Sequence, residues 1–250
     1  MIPRFNMHVH TKRSACAKPE MTLPDLDAAA SSAGLDYVGI ADHIDIGEHN
    51  SRPLLNRRDI ESGSWKTGLL VGCEATVLSP GRVAVKDDIA RKLDYVMVSA
   101  NHYHLDQVEN PRERSPESYA RHYLEMLDGV MDWGLADIVA HPFLHTKLGR
   151  RGRVNPLDVM EHYDWDLVER VLERAGGECL SFEIKPGYVD MVPDFMKQLV
   201  RIGRKHGVRF SLGTDAHRLV EIPFPDDFGE KLEGIGLGEA DLIDPEDFLC

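Results

Sequence analysis

Paired cysteines are missing from this sequence. Cys16, Cys73, Cys179 and Cys250 lie far apart with no CxxC couple among them, which argues against a disulfide framework or a zinc ribbon. Basic charge is also scarce, with 29 Lys and Arg against 42 Asp and Glu and a formal net charge of -13. A phosphate backbone would be repelled unless a local basic patch offset this, and no basic stripe is visible, so nucleic acid is a disfavoured partner. No apolar run approaches the roughly 18 residues of a membrane helix. The N-terminal MIPRFNMHVH lacks the charged-then-apolar layout of a secretory signal. A cytoplasmic protein without membrane attachment is expected. Gly (21) and Pro (14) are at ordinary levels, which excludes collagen-like and low-complexity classes. The 250 residues suffice for one large domain or two small ones with a sizeable core.

Short apolar runs recur from end to end: FNMHVH (5–10), YVGIADH (37–43), LLVGCEA (69–75), YVMVSANH (95–102), DIVAHP (137–142), CLSFEIK (179–185) and RFSLGTDAH (209–217). Most are apolar at successive positions, the pattern of strands buried on both faces of a parallel sheet. Amphipathic segments lie between them. Thr22 can cap a helix through Ala33 that Gly34 stops, and Ser115-Pro116 opens one that ends at Gly134. Residues 164–175 end at Gly176-Gly177, and 193–206 at Gly207. Strand then helix, about seven times over, predicts an α/β fold that a closed barrel and an open sheet fit equally. Residues 44–67 read as a long polar loop with at most a short helix, and 77–85 as a hairpin about Pro80-Gly81. The last thirty residues hold ten acids and one lysine and read as a solvated closing tail.

Histidine is abundant, at twelve. Metal-ligand types fall near the C-terminal end of every predicted strand: His8 and His10, His43, Glu74, His102, His141, Glu183, then Asp215 and His217. One histidine at a strand end is more often a satisfied polar group than a ligand. Repetition at seven strand ends with one polarity is not explained that way, because strand C-termini in a parallel barrel open onto one face. Residues two apart on a strand share a side, so His8 with His10, and Asp215 with His217, are expected to face the barrel axis. Mixed imidazole and carboxylate ligands suit zinc, manganese or iron, and so many ligands exceed the needs of one ion. Two or three divalent ions are expected, with Glu74 as the carboxylate that bridges them. His49, His122, His162 and His206 read as ordinary polar residues; His104 and His145 lie near enough to the mouth to touch substrate. Cys73 alternates away from the mouth into the core. GIGLG (234–238) resembles a phosphate loop but follows no strand.

The ordered set HVH (8–10), ADH (41–43), GCE (72–74), NH (101–102), AHP (140–142) and GTDAH (213–217) resembles the successive motifs of the PHP (polymerase and histidinol phosphatase) family, over about residues 5 to 217. The resemblance implies a distorted (β/α)7 TIM-like barrel, about residues 4–218 of a single domain, with a trinuclear metal site at the C-terminal end of the strands. It implies a first site of His8, His10, Glu74 and Asp215, a second of Glu74, His102 and His141, and a third of His43 and His217 with a histidine whose position is Cys16 here. A thiolate is a good zinc ligand, so Cys16 is expected in that third site. Glu183 and Asp42 are expected to support the ligands by hydrogen bonds.

The function expected is hydrolysis of a small phosphomonoester. Clustered cations lower the pKa of a water and clamp phosphate oxygens, and Asp215 can accept the water's proton. Arg13, Arg150, Arg151 and Lys185 are the candidates for gripping phosphate. Rival readings are a phosphodiesterase or nuclease, a metal-dependent hydrolase of C–N or C–O bonds, and a non-catalytic, metal-stabilised binding domain. Nothing in the sequence bears on oligomeric state.

Overall fold

Strands and helices alternate as the apolar runs predict. The computed structural model describes residues 1–145, 148 and 154–249; Arg150, Arg151 and Cys250 lie outside the described residues. The strands are β1 (Phe5–Val9), β2 (Tyr37–Ile40), β3 (His43–Ile44), β4 (Gly68–Val71), β5 (Glu74–Ser79), β6 (Arg82–Val83), β7 (Met97–Ser99), β8 (Ile138–Val139), β9 (Ser181–Ile184) and β10 (Phe210–Leu212). The helices are α1 (Leu23–Ser32), α2 (Arg52–Glu61), α3 (Asp87–Ala90), α4 (Pro116–Trp133), α5 (Pro156–Glu161), α6 (Trp165–Gly177), α7 (Pro186–Met191), α8 (Pro193–Lys205) and α9 (Phe228–Gly234).

The strands form two parallel runs, β1-β2-β4 and β10-β9-β8-β7-β5-β3, with only β6 antiparallel, as the second arm of the expected hairpin with β5. Spatial order follows chain order, as in successive βα units. The chain steps out of one run and into the other twice, at Ala41-Asp42 between β2 and β3 and at Gly72-Cys73 between β4 and β5. Backbone bonds cross these steps: Ala41 N–H to Val9 O (2.9 Å), Gly72 N–H to Ile40 O (2.9 Å) and Glu74 N–H to Asp42 O (3.2 Å). At the far margin Val9 and Ala216 form a parallel bridge, with His10 N–H on Ala216 O at 3.0 Å. The architecture is therefore α/β with a mostly parallel sheet. β1 and β9 are buried at every position although apolar and polar residues alternate along FNMHV and SFEI, with His8 and Glu183 among the buried polar side chains.

The helix signals act where expected. Thr22 accepts from Asp25 N–H, Ser115 from Ser118 N–H, and α4 stops where Gly134 turns left-handed at φ 69°. Tyr119, Tyr123, Leu127 and Val130 make one buried stripe along α4. No helix among the described residues is long and apolar enough to cross a membrane.

Two stretches differ from expectation. Within 44–67 lies a ten-residue helix, α2, whose sequence RPLLNRRDIE has no apolar stripe. Polar contacts hold it instead: Asn56 Nδ2 donates to Asp42 Oδ2 at 2.7 Å and Arg57 Nη2 to Asp94 Oδ1 at 2.6 Å. The acidic C-terminal stretch is not a solvated tail. Phe228, Leu232, Ile235 and Leu237 are buried, and Leu242 bridges Phe210 at the edge of β10. Its acids meet bases of the body, with Arg204 Nε donating to Asp241 Oδ1 at 2.7 Å. Net charge hid a small apolar set placed to cover the sheet.

Candidate metal centre

Alternation along β1 turns His8 and His10 to one side, where both are wholly buried and their Nε2 atoms stand 3.1 Å apart. Glu74, at the start of β5, is buried between two sets of imidazoles. Its Oε2 lies 2.9 Å from His43 Nδ1, 3.3 Å from His8 Nε2 and 3.5 Å from His10 Nε2. Its Oε1 lies 2.9 Å from His141 Nε2 and 3.4 Å from His102 Nε2. Asp215 Oδ1 completes the first set, 3.0 Å from His10 Nε2 and 3.4 Å from His8 Nε2.

Three groups have ligand atoms within 4.8 Å of one another: His8, His10, Glu74 and Asp215; Glu74, His102 and His141; and His10, His43 and His217. The first two have the membership the motif resemblance implies. In the third, His10 takes the place expected of Cys16, which lies alongside with Sγ 3.0 Å from His217 Nε2. Burial works against ionising this thiol, but hydrogen bonds from His217 and His43 bring its pKa down to about 6.

Whether these residues suit cations follows from where their protons sit. His8 Nδ1 is 2.7 Å from Glu183 Oε1. A carboxylate only accepts, so Nδ1 donates and Nε2 is the atom left to bind a proton or a metal ion. Ser14 Oγ donates to Asp42 Oδ1 at 2.8 Å and can therefore only accept from His10 Nδ1, at 3.4 Å. Thr76 Oγ1 donates to Asp45 Oδ1 at 2.7 Å and accepts from His102 Nδ1 at 2.9 Å. His217 Nδ1 donates to the Asp215 carbonyl at 2.7 Å. Four imidazoles thus turn Nε2 inward; those of His8, His10 and His102 face carboxylate oxygens. Acceptors set against acceptors in a buried space call for a cation between them. The donor set fits two or three transition-metal ions.

The electrostatics agree. Burial opposes ionisation of Glu74, yet His43 and His8 hold its pKa well below the ordinary range. Asp215 is held down against burial by Lys185 and His8. His10 is pushed down to about 3 by burial and by its neighbours His43 and His8, so it is a neutral imidazole. Burial also acts against His8, but the carboxylates of Glu183, Asp215 and Glu74 outweigh it and raise the pKa to about 10, so positive charge is favoured at Nε2, supplied by a proton without an ion and by a metal ion that would displace it.

Glu183 bonds two of the candidate ligands. Its second oxygen accepts His141 N–H at 2.5 Å while the first holds His8. Gly213 makes this possible, since a Cβ there would sit 2.0 Å from Glu183 Oε1 and 2.7 Å from His8 Cβ. Asp42 accepts from Thr11 N–H, Ser14 Oγ and Asn56 Nδ2, tying the Cys16 loop to the end of β2. Pleat alternation does not place Asp215 and His217, because β10 ends at Leu212 and Asp215 turns left-handed at φ 57°. His141 likewise lies past β8, at φ 31°. Non-glycine residues at positive φ are strained, and here they are candidate ligands.

Of the expected phosphate-gripping cations, the two within the described residues are already engaged, while Arg150 and Arg151 lie outside those residues. Arg13 donates to Asn56 Oδ1 at 2.7 Å and Asp59 Oδ2 at 2.6 Å, and Lys185 Nζ lies 2.8 Å from Asp215 Oδ2. His145 is not at the mouth: it is buried among Tyr103, Tyr123 and Tyr163, with Nε2 2.8 Å from Tyr163 Oη. Sequence reasoning missed Ser14, Thr76 and Asp45. Thr76 follows Glu74, and Asp45 follows His43, by two residues, so alternation from known ligands could have found both. Two basins open at the centre and share His102. One, of about 350 Å³, is lined by His141, Lys185, Tyr188 and Asp215; the other, of about 240 Å³, by Cys16, His43, His49 and Arg52. A larger cavity of about 750 Å³ lies at the opposite strand ends, against Phe5, Tyr37 and Ser181, and contains none of the three groups.

Fold and site together define an α/β scaffold with a histidine and carboxylate centre able to hold several metal ions. The chain is 24% identical over 252 residues to a Clostridium novyi (strain NT) protein named "probable phosphatase", covering 98% of this chain and 92% of that one. It shares the fold of the histidinol phosphate phosphatase of Lactococcus lactis subsp. lactis Il1403, solved with zinc, L-histidinol and phosphate: TM-score 0.61, 15% identity, 95% of each chain. A structure from Listeria monocytogenes matches at TM-score 0.59 and 12% identity, over 87% of this chain and 97% of its own. No family model matches the chain.

Proposed function

We propose that the chain is a metal-dependent phosphomonoesterase of the PHP type, a single domain in which the two strand runs are one interrupted (β/α)7 barrel. The Val9–Ala216 bridge and the backbone bonds across Ala41 and Gly72 support the barrel reading. The observation that carries the function is Glu74, whose two oxygens serve different imidazole sets. A similar fold in a phosphatase solved with zinc and phosphate, and a relative named "probable phosphatase", favour phosphate esters over C–N bonds.

Divalent ions held by His8, His10, Glu74, Asp215, His102 and His141, with a third at His43, His217 and Cys16, would supply a nucleophile at neutral pH and an electrophilic clamp on phosphate oxygens. The chain's own groups do the rest. Glu74, with one oxygen toward each imidazole set, would be shared by two such ions. Lys185 keeps Asp215 ionised, and Asp215 is the group assigned to take the proton of the attacking water. The Lys185 ammonium, lining the larger basin, is placed to meet a phosphate oxygen. Glu183 and Asp42 hold ligands in place. A small phosphorylated substrate suits basins of this size, and free exposed thiols at Cys16 and Cys179 suit a cytoplasmic location.

The test is a screen of phosphomonoesters with added manganese or zinc, with phosphate release as the readout. Turnover of phosphomonoesters, lost on chelation and restored by metal, is the expected result. Turnover of phosphodiesters or amides alone would overturn it.

A further inference from the structure

Arg52 is the cation of the site that no carboxylate occupies. It lies at the start of α2, lines the 240 Å³ basin, and donates through Nη1 to the His43 carbonyl at 2.8 Å. Among the described residues its guanidinium makes no ion pair, whereas Arg13 is tied to Asp59 and Lys185 to Asp215. One bond to a backbone carbonyl anchors one arm of the group and, among the described residues, leaves its further N–H donors without a protein acceptor in a cleft beside His43 and Cys16. An anchored guanidinium with spare donors is a site for an oxyanion.

The rest of the basin is compatible with negative charge. His49 and His104 line it together with His43 and His102. Its one carboxylate, Asp45, is engaged, with Oδ1 accepting from Thr76 Oγ1 and Oδ2 3.9 Å from His49 Nδ1. The larger basin, with Lys185, borders Asp215, His102 and His141 from the first two ligand groups, and is the place for the phosphate to be cleaved. His102 lines both basins, so the two lie side by side at the centre.

We infer that the Arg52 basin is a subsite for a second anionic group, so that the preferred substrates are small phosphomonoesters whose alcohol part carries a carboxylate or another phosphate. This rests on the phosphomonoesterase reading above. Loss of a charge-assisted hydrogen bond at such a position corresponds to about 10- to 100-fold in specificity.

The experiment compares kcat/KM of the metal-loaded enzyme for carboxyalkyl phosphates of two to four carbons, the matching alkyl phosphates and the matching aminoalkyl phosphates. The wild type is expected to prefer the carboxylate series at one chain length by about 10- to 100-fold. Arg52→Met should bring that ratio close to one, mainly through KM, and Arg52→Lys should restore part of it. No preference in the wild type, a preference for the amine series, or an unchanged ratio in Arg52→Met would overturn the subsite while leaving the phosphatase reading standing. A ratio unchanged because both series fall together would place Arg52 on the scissile phosphate and likewise overturn it. Hydrolysis of none of the esters would instead count against the phosphatase reading itself. The wild-type preference decides the question even if a variant does not fold.

Discussion

Thr76 holds His102 in one tautomer. Its hydroxyl has a single proton, which goes to Asp45, so the oxygen 2.9 Å from His102 Nδ1 can only accept. Nε2 is thereby committed to the centre. A hydroxyl between a histidine and a carboxylate occurs again at His10, where Ser14 passes the hold to Asp42.

That relay makes a prediction about the second ligand group. Thr76→Val and Asp45→Asn should weaken metal binding there by about 10- to 100-fold, and Thr76→Ser should restore it. Titration of the apo protein with zinc, followed by elemental analysis, measures this. Unchanged stoichiometry and affinity in Thr76→Val would reduce Thr76 to packing.

Glu74 and Glu183 should separate in their effects. Glu74→Gln removes a charge shared by two ligand groups, so activity should fall by about 10²- to 10³-fold and bound metal by at least one equivalent. Glu183→Gln leaves one carbonyl oxygen to accept from either His8 Nδ1 or His141 N–H but not both, yet it removes no charge shared by two ligand groups and should cost less than Glu74→Gln. Equal losses of kcat with equal metal content would contradict the assigned roles.

At Cys16 the measurement is alkylation. In the metal-loaded protein the thiol should be protected, and chelation should expose it, while exposed Cys179 reacts in both states. Cys16→His should keep the third ion and Cys16→Ala should lose it, with the first two groups still filled. Should Cys16→Ala retain every ion and full turnover, His10, His43 and His217 suffice without sulfur.

Asp137 governs a stability difference remote from catalysis. Burial raises its pKa to about 6, with Val96 N–H opposing. An acid raised in the fold stabilises it below its unfolded value near 3.9 and loses that contribution as pH climbs through about 6. Relative to wild type, Asp137→Asn should therefore gain roughly 2 kcal/mol of stability between pH 4 and pH 7. Urea unfolding of both proteins across that range checks it; a flat difference would mean that the carboxylate titrates normally.

The primary structure alone carried the alternation of strand and helix, because burial on both faces writes itself as unbroken apolar runs. Caps at Thr22 and Ser115 and stops at Gly34 and Gly134 were legible for the same local reason. So was most of the candidate ligand set, since His8 and His10 lie at the end of β1, and His43 and Glu74 follow β2 and β4 closely and open β3 and β5. The helix α2 was not legible, because its support comes from distant polar partners such as Asp42 and Asp94 rather than from an apolar stripe. Nor was the packing of the acidic C-terminal stretch, whose few apolar side chains find their partner only once β10 presents an edge. Tertiary structure alone set Asp215 and His141 in left-handed backbone, fitted Glu183 against Gly213, tied Arg13 and Lys185 to carboxylates and left Arg52 without one. Each of these depends on which residues meet across tens or hundreds of positions. Local periodicity reports which face of an element is buried, but not the proton, partner or charge that waits there.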